Sequence, residues 1–130
     1  MKKIAVIGLG YVGLPLAIEF GKNNNVVGLD INQVRVQELL NGEDTTLETT
    51  KKEREDSKYL TYTSDLEDIA DCNIFIITVP TPIDKTNKPN LKALLNASST
   101  VGSVLTKGDT IIYESTVYPG VTEDICVPEL

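Results

Sequence analysis

The chain has 130 residues, 41% of them hydrophobic and 24% charged, with a net charge of −7. That is the size of one globular domain long enough to bury a core. The acidic balance and the lack of a long basic run exclude electrostatic binding to nucleic acid or a membrane surface, and no apolar run reaches the ~18 residues of a membrane-spanning helix.

The first stretch with structure written into it runs from Lys3 to Phe20. Ile4 to Ile7 is a continuous rather than alternating run of β-formers, which suits a strand buried on both faces of a parallel sheet. Gly8, Gly10 and Gly13 follow in G-x-G-x-x-G spacing, and a helical apolar pattern continues to about Lys22. In this order each glycine has a job. Gly8 turns the chain out of the strand, Gly10 lets a pyrophosphate approach the backbone, and Gly13 lets helix and sheet pack closely. The N–H groups and positive dipole of the helix start then face the phosphates. Pro15 falls in the first turn of that helix, where proline costs least.

Val26-Val27-Gly28-Leu29-Asp30 is a second apolar strand ending in an acid, seventeen residues after Gly13. That approximates the ~20-residue spacing of the carboxylate that holds a ribose diol in a dinucleotide site. Asn32 is a candidate N-cap for a helix carrying Val34, Val36, Leu39 and Leu40, and Asn41-Gly42 is a candidate C-cap. Arg35, five residues past Asp30, has two readings: a solvated surface charge, or a donor to the adenosine end of a dinucleotide. Residues 43–58 are polar with mixed charge, as in an exposed helical turn or mobile loop, and no chemistry is read into them.

Leu60 to Thr63 alternates as a short strand, and Ser64 or Asp65 caps a short helix from Leu66 to Ala70. Asn73 to Val79 is the second fully apolar strand and therefore central. It runs into Pro80-Thr81-Pro82, a rigid loop at a strand's carboxyl end, where doubly wound sheets bind ligands. A helix from about Leu91 to Leu105, a turn at Lys107-Gly108-Asp109 and a strand from Thr110 to Tyr113 complete the pattern. Ser115 and Thr116 again fall at a strand's carboxyl end, and a last helix is expected from Val121. The alternation predicts an α/β domain, a doubly wound parallel sheet of Rossmann type with helices on both faces.

The two cysteines, Cys72 and Cys126, have no metal-ligand spacing, and the chain has no histidine to activate either. Cys72 reads as a small buried hydrophobe. Lys2 and Lys3 before a short apolar run imitate a signal peptide, but the glycine interruption and Asp30 argue against one. A cytoplasmic location is therefore expected.

Three motifs in order give the chain a resemblance to the UDP-glucose/GDP-mannose dehydrogenase family: Gly8-Leu9-Gly10-Tyr11-Val12-Gly13-Leu14-Pro15, Val79-Pro80-Thr81-Pro82, and Glu114-Ser115-Thr116-Val117-Tyr118-Pro119-Gly120. The forms Thr81-Pro82-Ile83-Asp84, Asn87-Lys88-Pro89-Asn90-Leu91 and Val117-Tyr118-Pro119-Gly120 are most similar to the branch that oxidises UDP-N-acetylhexosamines. The resemblance implies oxidation of a sugar C6 alcohol to the uronic acid with two NAD, for cell-surface polysaccharide. By position it implies pyrophosphate contacts from Gly8, Gly10, Tyr11, Val12 and Gly13, and adenosine ribose contacts from Asp30 with Arg35 beside it. It puts Val79, Pro80, Thr81, Pro82 and Ile83 along the adenine-side and central part of the cofactor, Ser115, Thr116 and Val117 near the nicotinamide, and gives Thr116 a role in placing water. Asp30 favours NAD over NADP, since a carboxylate repels a 2′-phosphate.

The family's catalytic cysteine, its assisting lysine, asparagine and aspartate, and its Ser-Pro-Glu segment have no match here; Pro128-Glu129 follows Pro119-Gly120 too closely to be that segment. The expectation is that residues 1–130 are an N-terminal NAD-binding domain, inactive alone, lacking the sugar-nucleotide domain and central helix. The parent would be a homodimer or larger homo-oligomer that takes a UDP-sugar. Two alternatives remain open at this level: a regulatory nucleotide-sensing domain of the same fold, and a small complete reductase, which would need a proton donor such as Tyr113 or Tyr118.

Overall fold

The computed structural model describes residues 3–10, 12–44, 49–78 and 92–114. Five strands are described: β1 (Lys3–Ile7), β2 (Asn25–Leu29), β3 (Leu60–Thr63), β4 (Ile74–Ile77) and β5 (Thr110–Tyr113). The helices are α1 (Gly13–Gly21), α2 (Gln33–Leu40), α3 (Lys51–Asp56) and α4 (Lys92–Gly102). All neighbouring strands pair in parallel, in the order β3-β2-β1-β4-β5. The chain winds outward from β1 through β2 to β3, then crosses to β4 on the other side of β1. The strand order reverses between β1 and β4, and their carboxyl ends open a crevice there.

Each strand's alternation divides the core in two. Ala5, Ile7, Val27, Leu29, Phe75 and Ile77 pack with Ala97 and Val101 of α4 on one face. Ile4, Val6, Val26 and Ile76 pack with Leu14, Ala17 and Ile18 of α1 and Leu39 of α2 on the other. Ile4 to Ile7 and Phe75 to Ile77 are all buried, because helices cover both faces of the two central strands. The doubly wound sheet expected from the sequence is thus the fold observed.

Local chemistry explains the ends of the elements. Asn32 caps α2 by accepting from the Val34 and Arg35 N–H groups at 3.0 and 3.3 Å. Gly42 ends it with φ of +81°. Asp65 accepts from Glu67 N–H at 3.0 Å. The segment it starts is a single 3-10 turn, Leu66–Ile69, rather than the expected short α-helix; four residues with only Ile69 buried give little to extend it. The central strand is also shorter than expected and ends at Ile77.

Residues 45–48 lie outside the described residues, and the rest of 43–58 departs most from expectation. α3 is exposed, as anticipated, and opened by a capping box between Thr50 and Glu53. Yet Asp44, Thr49 and Ser57 are buried. The Ser57 hydroxyl donates to the Ile18 carbonyl of α1 at 2.8 Å, which fixes the segment's exit to the sheet.

Phe75 is fully buried, so Phe75→Ala is expected to cost about 3–5 kcal/mol in urea denaturation. Cys72 is buried, and burial pushes its thiol from 9.0 up to about 11. The folded thiol keeps its proton where the unfolded one has lost it. The resulting stability is fully present below about pH 9 and is lost as pH rises toward about 11. Denaturation midpoints across that range should fall more steeply for the wild type than for Cys72→Ala.

Candidate functional site

The site is built around the turn between β1 and α1. Gly8 has φ of +99°, a left-handed conformation that a side chain would strain. A Cβ on Gly13 would overlap the Gly8 carbonyl oxygen and Thr78 Oγ1, so helix and turn can approach only with glycine there. A Cβ on Gly10 would meet nothing within 4 Å. Gly10 is exposed and faces the open space that a phosphate needs. α1 starts after Val12 with no side-chain cap, a kind of helix start that suits an anion.

The turn's backbone groups are held from several directions. Gly8 N–H donates to the Leu29 carbonyl of β2 at 2.8 Å. Leu9 N–H donates to Asp30 Oδ2 at 2.9 Å. The Thr78 hydroxyl, at the end of β4, lies 2.8 Å from the Gly8 carbonyl and 3.0 Å from that of Ile7. Arg35 Nε donates to the Leu9 carbonyl at 2.7 Å.

Asp30 follows β2, and its other oxygen accepts from Asn32 N–H at 2.9 Å. Both carboxylate oxygens are thereby aimed by the backbone. Arg35 is not the solvated charge that was one of its two readings; it is 9% exposed. Its Nη1 pairs with Glu38 at 2.5 Å and with Asp44 at 3.0 Å. Asp44 also accepts from the N–H and hydroxyl of Thr49, at 3.1 and 2.7 Å. Arg54 lies 3.9 Å from Asp44 and donates to the Thr49 and Gly42 carbonyls.

A cleft of about 410 Å³ opens at this crevice, within the ~300–1,000 Å³ typical of small-molecule sites. Gly8, Gly10, Asp30 and Arg35 line it together, as the sequence predicts for one ligand. Asn96 and Thr100 of α4 and Thr78 also line it and were not read from the sequence. Thr78 had one available signal, a polar residue closing an apolar strand. Glu38 stands at i+3 from Arg35 on a helix. Nothing local marks Asp44, Asn96 or Thr100. Tyr11, Val79, Pro80, Thr81, Pro82, Ser115 and Thr116 lie outside the described residues.

An anion-ready helix start, a backbone open at Gly10 and an oriented carboxylate at the end of the next strand define a dinucleotide-binding domain. The family model for the NAD binding domain of the UDP-glucose/GDP-mannose dehydrogenase family matches residues 2–129. The chain belongs to that family, and its cofactor is NAD. It is 59% identical over 128 residues to a UDP-N-acetyl-D-glucosamine 6-dehydrogenase of Salmonella typhi, covering 98% of this chain and 30% of the relative. The corresponding Pseudomonas aeruginosa enzyme is 58% identical over the same shares. A solved UDP-D-ManNAc dehydrogenase of Pyrococcus horikoshii superimposes with a TM-score of 0.82 at 38% identity, covering 93% of this chain and 30% of that one. The chain thus spans about 30% of the length of the curated relatives it matches.

Thr78→Val removes the clamp on Gly8 at nearly constant volume. It should cost about 1–3 kcal/mol, because a buried acceptor loses its donor. Urea denaturation and NAD titration of the same variant should both register the change.

Proposed function

We propose that residues 1–130 form a domain that holds NAD across this crevice, for a protein that oxidises the C6 alcohol of a UDP-N-acetylhexosamine to the uronic acid. The observation that carries the NAD site is the Asp30 carboxylate, bonded to the Leu9 N–H of the glycine turn and exposed to the cleft. That oxygen set is suited to the ribose hydroxyls of the adenosine end, with Arg35 beside it. Gly8, Gly10, Tyr11, Val12 and Gly13 are assigned to the pyrophosphate. Val79, Pro80, Thr81 and Pro82 are assigned to the adenine-side and central part of the cofactor, and Ser115 and Thr116 to the nicotinamide end, with Thr116 placing water. NAD, when bound, supplies the hydride acceptor. The chain's own groups bind, orient and electrostatically select it.

The substrate class rests on the identity to UDP-N-acetyl-D-glucosamine 6-dehydrogenases. The sugar nucleotide and the thioester-forming cysteine are assigned to the part of such proteins that this chain does not match. Cys72 is buried with its thiol held protonated, which argues against it as a nucleophile. Among the described residues no helix is long and apolar enough to cross a membrane. The parent is proposed to act in the cytoplasm as a homodimer or larger homo-oligomer, in the making of surface polysaccharide.

Isothermal titration should show NAD binding in the micromolar-to-millimolar range, weaker binding of NADP, and a loss of about 10–100-fold in NAD affinity for Asp30→Ala, as expected for removing charge-assisted hydrogen bonds. No effect of that substitution would remove Asp30 from the ribose. The 130-residue chain mixed with NAD and UDP-N-acetylglucosamine should form no NADH. Turnover there would overturn the assignment of the chemistry to residues outside it.

A further inference from the structure

An arginine close to the acid at the end of the second strand is the feature that lets this fold accept a 2′-phosphate. Arg35 occupies such a place and lines the cleft with Asp30. By residue type, the site carries both a group that repels NADP and a group that would attract it. The geometry points to Glu38 and Asp44 as the residues that settle the choice of cofactor, by engaging the Arg35 guanidinium so that it does not serve a 2′-phosphate.

Three observations carry this. First, Arg35 Nη1 contacts both carboxylates, Glu38 at 2.5 Å and Asp44 at 3.0 Å, while Nε is bonded to the Leu9 carbonyl. Second, the pairing is shielded from water: side-chain exposure is 10% for Arg35, 14% for Glu38 and 1% for Asp44. Charges so placed act on one another with little screening. Third, the carboxylates are anchored. Glu38 sits one turn along the same helix, and Asp44 is held by the N–H and hydroxyl of Thr49. Arg54, the next cation, gives its own N–H groups to Thr49 and to the Gly42 carbonyl.

A dianionic 2′-phosphate at the Asp30 position would therefore meet the Asp30 carboxylate and an Arg35 already paired with Glu38 and Asp44, the latter also 3.9 Å from Arg54. A ribose with two free hydroxyls carries no charge there and meets no such penalty. Asp30 supplies the direct repulsion. Glu38 and Asp44 cancel the attraction that Arg35 would otherwise offer. They are specificity-determining residues that act through Arg35 without touching the cofactor. This rests on the reading that Asp30 and Arg35 meet the adenosine ribose.

The test is calorimetric titration of the chain with NAD and with NADP, for wild type, Glu38→Gln, Asp44→Asn and, as a separate arm, Asp30→Ala. Glu38→Gln keeps the size of the side chain and an oxygen for Arg35 but removes the charge. Asp44→Asn does the same from the other side. The ratio of NADP to NAD dissociation constants should fall by about tenfold or more in either variant, the effect of releasing a charge-assisted donor. Thermal melts of each variant confirm that the titrated protein is folded. A ratio unchanged in both, or both cofactors weakened in parallel, would mean a structural pair only and overturn the inference. The Asp30→Ala arm reports separately: NAD affinity unchanged there would displace the ribose reading, whatever the ratio does in the other two.

Discussion

The turn at Gly8 and Leu9 leaves the strand with its backbone N–H and carbonyl groups packed among strands and a helix. Buried backbone groups without partners are costly, so each needs a bond from somewhere else in the fold. The chain supplies them from separate elements. Leu29 receives the Gly8 N–H, Asp30 receives the Leu9 N–H, Thr78 donates to Gly8, and Arg35 donates to Leu9. Gly8 and Leu9 are thereby held by the protein's own groups.

The architecture follows from that requirement. Gly13 can lie against the Gly8 carbonyl and Thr78 only because it has no Cβ, and this brings α1 down onto the turn. Thr78 can reach the turn only because β4 pairs beside β1, with Ile77 opposite Ile7. Asp30 and Arg35 arrive because β2 pairs on the other side of β1, with Leu29 also opposite Ile7. The reversal of strand order between β1 and β4 is thus what gathers the ligand-facing groups at one end of the sheet.

Electrostatically the site is more than one acid at the end of a strand. Asp30 faces the cleft, while a few residues away Arg35, Glu38, Asp44 and Arg54 form a shielded network of alternating sign. Through it, Asp44, Thr49 and Arg54 are tied to the glycine turn, from Arg54 through Thr49 and Asp44 to Arg35 and the Leu9 carbonyl. A stretch that reads as solvent-exposed therefore has buried residues, and through Arg35 they bear on the cleft. The chain belongs to the UDP-glucose/GDP-mannose dehydrogenase family, matches the model of its NAD binding domain, and spans about 30% of the length of its curated relatives.

The sequence alone determined what depends on short-range constraint. The apolar runs at Ile4–Ile7 and within Asn73–Val79 specify strands covered on both faces, because both sides of such a pleat have to be buried. Glycine spacing specifies the turn, because only glycine permits that backbone and that approach. Asn32 and Gly42 specify the ends of α2 through caps formed within a few residues. What only the tertiary structure decided are contacts between residues distant along the chain or without a local signature. Thr78 is seventy residues from Gly8, and its value lies in the register of β4 beside β1. Asn96 and Thr100 face the cleft because α4 packs over that end of the sheet. Asp44 and Arg54 look like any two charges in a polar run, and burial alone turns them into partners. Arg35 reads in the sequence as a solvated charge or as a donor to a dinucleotide; its surroundings, which composition and spacing do not encode, exclude the first by burying it against Glu38 and Asp44.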